Sequence, residues 1–289
     1  MKRSIFATLA FVVLAMTGSA QGLYIRFGGT YGLPTGTSVI GDKYNYNYDG
    51  TGASAVTTTA SKAVSGSYGA GPNASLSVGY KFNANFMVDF TGQYLIGNKI
   101  ETGSWYNYKY TSFSSVENNV YKDNITGLFL NPSLVFSAGF GKAAPYGRFG
   151  VVVGSPKHTS TESYYYDGDG ISYYDKTWIY KKGMALGYQA AIGMNWKLSN
   201  KLDFYTEVNI VNMSWYAKEG ELTKYNSNGS DALSSLSVSQ KQISYVKSYD
   251  PSVQQDPTKP SVTLRQSVPL SSVSAQAGIR FTLFQKKDE

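Results

Sequence analysis

Gly183-Met184-Ala185-Leu186-Gly187-Tyr188-Gln189-Ala190-Ala191-Ile192-Gly193-Met194-Asn195-Trp196-Lys197-Leu198, then Ser199-Asn200-Lys201, then Leu202-Asp203-Phe204-Tyr205-Thr206-Glu207-Val208-Asn209-Ile210 is the stretch whose reading decides the fold. In the first run Met184, Leu186, Tyr188, Ala190, Ile192, Met194, Trp196 and Leu198 stand opposite Gln189, Gly193, Asn195 and Lys197. In the second, Leu202, Phe204, Val208 and Ile210 stand opposite Asp203, Tyr205, Glu207 and Asn209. A period of two places these sets on the two faces of a β-strand. Joined by three polar residues, the runs make a hairpin with one greasy face and one wet face.

The same alternation recurs outward along the chain. It predicts strands at 23–33, 73–82, 86–96, 126–140, 145–155, 183–198, 202–212 and 271–284, with connections of 39, 3, 29, 4, 27, 3 and 58 residues. Tight turns at one end and extended loops at the other are what a barrel crossing an outer membrane needs. The expected fold is therefore all-β: an eight-stranded antiparallel up-and-down transmembrane β-barrel with four long extracellular loops. A hairpin drawn from Leu236, Val238, Ile243 and Tyr245 would make ten strands the alternative. Ser, Gln and Pro251, Pro257, Pro260 and Pro269 interrupt that segment, so it is placed outside the membrane. Pro132 cannot donate to a ladder paired on both sides, and a bulge or local break is expected there.

The charges check these faces. Arg26, Lys81, Asp89, Arg148, Lys197, Asp203, Glu207 and Arg280 all fall opposite the apolar set. A bilayer demands this, because a midplane Arg or Lys costs about 2–4 kcal/mol. Eight strands leave an interior that side chains fill. Arg26, Arg148 and Arg280 are accordingly read as an internal network with Asp89, Asp203 and Glu207. The alternative is a narrow channel for ions or small solutes. Phe82, Phe86, Trp196, Phe204 and Phe284 near the turns, and Tyr31, Tyr94, Trp215 and Tyr216 near the loops, suit the two membrane interfaces.

Lys2 and Arg3, the apolar run Ile5 to Met16 and the small residues Gly18-Ser19-Ala20 read as a signal peptide over 1–20. The mature chain is expected to start at Gln21, with 21–289 as one domain and both mature termini periplasmic. The chain has no Cys, so export brings no disulfide, and its net charge is +7.

The eight dyad-repeat strands, the entry Pro145-Tyr146-Gly147-Arg148-Phe149-Gly150 and the terminal strand Ala277-Gly278-Ile279-Arg280-Phe281-Thr282-Leu283-Phe284 together resemble the small outer-membrane β-barrel superfamily. Its membrane domains of the OmpA, OmpX and OmpW kind are the most similar. The resemblance implies a bacterial outer-membrane location, contact with outer-membrane lipid and lipopolysaccharide, and assembly by the barrel-assembly machinery. The terminal aromatic departs from the family pattern, since Gln285 to Glu289 follow it.

Function is expected in the loops. Eighteen of the 25 Tyr lie there, as in Tyr44-Asn45-Tyr46-Asn47-Tyr48 and Trp105-Tyr106-Asn107-Tyr108-Lys109-Tyr110, an alternation that predicts hairpins continuing beyond the membrane. Tyr46, Trp105, Tyr108, Tyr165, Tyr173 and Trp178 are the candidate recognition residues for an extracellular ligand or adhesion. The competing class is a lipid A-modifying hydrolase. The single histidine, His158, precedes Ser160 and Glu162, similar to the base and nucleophile of lipid A deacylase barrels. No second element fixes those residues, and the chain is read as non-enzymatic, with no catalytic residues. Asp167-Gly168-Asp169-Gly170 reads as a hairpin tip rather than a calcium loop, which needs further ligands. No cofactor, metal or nucleic acid is implied.

Overall fold

The computed structural model describes residues 22–35, 38–52, 54–138 and 142–285. The expected signal peptide 1–20, Gln21, the end of the predicted strand 126–140 and the Phe284 side chain lie outside what is described. The described chain is all-β, with one four-residue helix, α1 (Val238–Lys241).

Eight strands pair in a cycle: β1 (Gly22–Pro34), β4 (Gly71–Lys81), β5 (Phe86–Ile96), β7 (Ser114–Ser137), β8 (Ala143–Asp167), β10 (Ala185–Lys197), β11 (Leu202–Trp215) and β17 (Ser272–Gln285). Each makes an antiparallel ladder with the next, and β17 pairs back onto β1, so no strand of the cycle keeps a free edge. Gly22 lies opposite both Lys81 and Gln285, which puts both described chain ends at the short-turn end.

Alternation decides what each strand buries. Large apolar side chains cover the outside: Phe27, Leu76, Phe90, Leu134, Phe149, Leu186, Val208 and Ile279 are all exposed, and Ile192 reaches 72%. Their neighbours along the strand, Arg26, Ser77, Asp89, Ser133, Arg148, Gln189, Asn209 and Gln276, are buried inside. Aromatic rings edge the turn end, with Phe82 5.3 Å from Phe86, Phe86 5.4 Å from Phe136, and Trp196 5.6 Å from Phe204.

Pro132 brings no bulge. Phe90 faces it in an unshifted register with β5. On the β8 side the ladder lapses at Asn131 and Pro132 and then resumes in the same register. Gly150 makes this workable, because a Cβ there would sit 2.5 Å from the Pro132 carbonyl oxygen.

The long connections are largely strand, in line with the hairpins that the Tyr-x-Tyr alternation predicts, and the ring strands outrun their expected bounds. β7 begins at Ser114 rather than 126, and β8 runs to Asp167 rather than 155. Beyond the cycle they carry an open sheet in the order β3 (Val56–Ser65), β2 (Val39–Asp49), β6 (Ile100–Lys109), β7, β8, β9 (Ile171–Lys181), β12 (Glu219–Ser227), β14 (Gln242–Val246) and β15 (Ser261–Leu264). Two short strands, β13 (Ser230–Asp231) and β16 (Val268–Pro269), complete the set. Ile243 and Tyr245 thus join the open sheet, Leu236 and Val238 lie before it, and none of the four inserts into the cycle.

Candidate functional site

Three arrangements carry the chemistry of the molecule: a polar interior, an apolar cap above it, and the open sheet beyond.

The interior centres on Glu207, whose strand β11 turns it inward with Asp203, Tyr205 and Asn209. Glu207 accepts hydrogen bonds from Arg26 at 3.2 Å, from Tyr146 at 2.8 Å and from Arg148. Arg26 also donates to Asp89 at 3.0 Å, and Tyr24 donates to the same carboxylate. The Arg26 guanidinium lies 4.0 Å from the centroid of the Tyr205 ring, so a π face covers the side its carboxylates leave open. Arg280 and Asp203 form a separate pair at 2.7 Å toward the turn end. All six predicted network residues are therefore in contact, in two groups. The first is extended by residues whose inward parity was legible but whose partners were not. Arg148 donates to Asn209, Gln189 donates to Asn209 at 2.6 Å and hydrogen-bonds Asn131, and Gln276 donates to Tyr205 at 2.9 Å and to Ser75 at 2.8 Å. Each buried charge here has a counter-charge, which a low-dielectric interior requires, since an unpaired ion there is far costlier than a paired one, while Nε of Arg26 and of Arg148 stays without a hydrogen-bond partner.

Above this layer Tyr68, Leu95, Ile125, Phe129, Val152, Met213, Trp215 and Leu270 form a buried apolar cluster. Trp215 is wholly buried in it and so does not edge the membrane face as expected, because its odd position on β11 points it inward with Met213. The cap is completed by residues 66–70, which fold into the mouth. Tyr68 N–H donates to the Pro269 carbonyl at 3.1 Å, and the Ser67 hydroxyl donates to the same oxygen at 3.1 Å. No alternation marks that segment, so the sequence reading missed it.

In the open sheet the register sorts the aromatic residues by face. Tyr44, Tyr46 and Tyr48 of β2 share a face with Tyr106 and Tyr108 of β6, with ring centroids at 5.6 Å for Tyr44–Tyr106 and 5.4 Å for Tyr46–Tyr108. Tyr121, Tyr164, Tyr174, Trp178, Tyr180 and Tyr225 continue it across β7, β8, β9 and β12. Burial pushes the Tyr180 phenol well up, and burial with a hydrogen bond to Glu162 does the same for Tyr174. The opposite face is one of ion pairs and amides, including Lys43–Glu101 at 3.0 Å and Asn47–Asn107 at 2.9 Å. Of the six candidate recognition residues, Tyr46, Tyr108 and Trp178 lie on the tyrosine face, and Trp105, Tyr165 and Tyr173 on the other. They form two surfaces, because neighbours in sequence point opposite ways in a strand.

His158 stands at the foot of the tyrosine face, with its ring 5.2 Å from both Tyr68 and Tyr180. Its Nε2 lies 2.9 Å from Asp123, so Asp123 on the neighbouring strand holds the imidazole. Glu162 instead accepts from Tyr174 at 2.9 Å and Tyr121 at 3.3 Å. Among the described residues no hydrogen bond joins His158 to Ser160, while Asp123 on β7 is a second element fixing His158, which the sequence reading did not expect.

No protein-family model matches the chain, and no curated protein matches it significantly.

Proposed function

We propose that the chain is an integral outer-membrane protein: an eight-stranded antiparallel transmembrane barrel, assembled by the barrel-assembly machinery, with a side-chain-filled lumen and an extracellular sheet that serves recognition or adhesion. The observation that carries this reading is the split between faces. In water, the belt of Phe27, Phe90, Leu134, Phe149, Leu186, Ile192 and Val208 would be an exposed apolar surface far larger than soluble monomers keep. In lipid the same belt is matched, and Arg26, Asp89, Arg148, Asp203 and Glu207 sit away from hydrocarbon. Outer-membrane lipid and lipopolysaccharide are the surrounding partners.

Two features support a sealed lumen over a channel: the paired charges that fill the interior around Glu207, and the apolar cap from Tyr68 to Leu270. No reaction is assigned to the chain. The test is cell fractionation joined to protease treatment of intact cells. The protein is expected in the outer membrane, released only by detergent and cut at the 168–170 tip from outside. Recovery in the aqueous fraction without detergent refutes the proposal.

A further inference from the structure

The tyrosine face is acidic on a chain that is basic as a whole. The strand registers bring Asp42, Glu117, Asp123 and Glu162 onto it, against one ammonium, Lys176, among the described strand residues, while the full chain carries +7. Lys176 shows how this surface holds a cation. Its Nζ lies 4.1 Å from the Tyr174 ring centroid, 5.4 Å from that of Tyr225 and 3.8 Å from a Glu162 oxygen. The ring quadrupole attracts a cation over its face, and a nearby carboxylate adds to the attraction.

The same elements recur on β2, β6 and β7 without a cation of the chain's own. Tyr46 packs between Tyr106 at 6.1 Å and Tyr108 at 5.4 Å, and Glu117 stands directly across from Tyr106. Asn119, next along β7 on this face, donates its amide to Tyr121 at 3.1 Å while its carbonyl oxygen is buried with no donor. An unmet acceptor is costly, and a side-chain movement that uncovers Asn119 lets an incoming N–H or O–H meet it.

We propose that this face binds a basic, extended polypeptide, with Lys or Arg side chains seated over Tyr46, Tyr106 and Tyr108 and against Glu117 and Asn119. Charge complementarity selects this occupant. A polyanion would be repelled by Glu117, which has no ammonium beside it among the described residues, and a neutral oligosaccharide could stack on the rings and hydrogen-bond Glu117 but would leave its charge uncompensated. The chain's net positive charge offers a basic ligand no general attraction, so binding has to be local. The inference rests on the surface-recognition reading for its location, and on the side chains alone for its chemistry.

The test uses the full-length protein in detergent micelles, titrated calorimetrically with lysine hexapeptide, glutamate hexapeptide and maltohexaose. The lysine peptide is expected to bind, more weakly as salt rises, and the other two not. Tyr46→Ala and Tyr106→Ala should each weaken it about two- to fivefold, and Glu117→Gln should weaken it too. Tyr106→Phe, which keeps the ring, should weaken it less than Tyr106→Ala, and Asn118→Ala, on the opposite face, should bind as the parent does. Preference for maltohexaose, equal binding of both peptides, or indifference to all three face variants overturns the proposal. Protease mapping on intact cells judges the location independently. A surface-exposed face that ignores the lysine peptide refutes the ligand, and a binding face that proteases cannot reach refutes the cell-surface role.

Discussion

Replacing Glu207 with alanine strands one guanidinium in the interior and takes one of two carboxylates from another. Arg148 loses its one carboxylate and keeps Thr91 and Asn209 as neutral acceptors, whereas Arg26 retains Asp89 at 3.0 Å. Breaking a buried pair by removing one partner costs about 3–5 kcal/mol. Glu207→Ala should fall at the upper part of that range, since Tyr146 loses its acceptor as well. Glu207→Gln keeps the volume and one acceptor oxygen and should fall near 3 kcal/mol, roughly a hundredfold in the folding equilibrium. The assay is urea unfolding in phospholipid vesicles, followed by tryptophan fluorescence and by the gel-mobility shift on heating. Arg148→Met combined with Glu207→Leu should recover part of the loss, because removing both charges leaves none unpaired on that side. A loss under about 1 kcal/mol for Glu207→Ala would mean that water reaches the pair, and the sealed interior would have to be abandoned.

Ile192→Arg, on the most exposed apolar position of the belt, should cost about 2–4 kcal/mol in vesicles, while Ile192→Leu is neutral in the same unfolding assay; equal stability of the two refutes lipid contact. The parent should give no steady conductance in planar bilayers, and deleting residues 66–70 together with Trp215→Ala should produce openings by removing the cap; a conducting parent refutes the plugged lumen. Lys43 holds the Glu101 carboxyl below the usual range, so the stability this pair lends is present above the unfolded carboxylate range and lost as pH falls through the folded value. The outer sheet of Glu101→Gln should therefore show less loss of protection between pH 5 and about pH 3 than the parent in hydrogen exchange; identical profiles refute the linkage.

The ring strands were legible because the outer and inner faces of the ring impose opposite demands on alternate residues. Arg26, Asp89 and Glu207 could be placed on one face without knowing a single contact. Their partners could not, since the pairing of Arg148 with Glu207 depends on β8 and β11 both flanking β10, a matter of closure rather than local pattern. The open sheet was half legible. Tyr-x-Tyr spacing announced strands, but the parallel pairing of β2 with β6, which assembles the tyrosine face, has no signature in either segment. The plug was illegible, because Gly66-Ser67-Tyr68-Gly69-Ala70 carries turn chemistry. Its role comes from Gly69, where a Cβ would run into the Leu270 backbone. Trp215 was misplaced by its proximity to a loop, although its parity with Asp203 and Glu207 pointed inward throughout.

The unbroken passage of β7 and β8 from the turn end to the tip at Asp167 and Ile171 has a mechanical consequence. A pull on that tip runs lengthwise along their shared ladder, so the rungs on either side of the gap at Asn131 and Pro132 resist together in shear instead of peeling one by one. Whatever grips the crest of this molecule is moored to the closed ring of strands by a stiff mast, with no slack tether between the two.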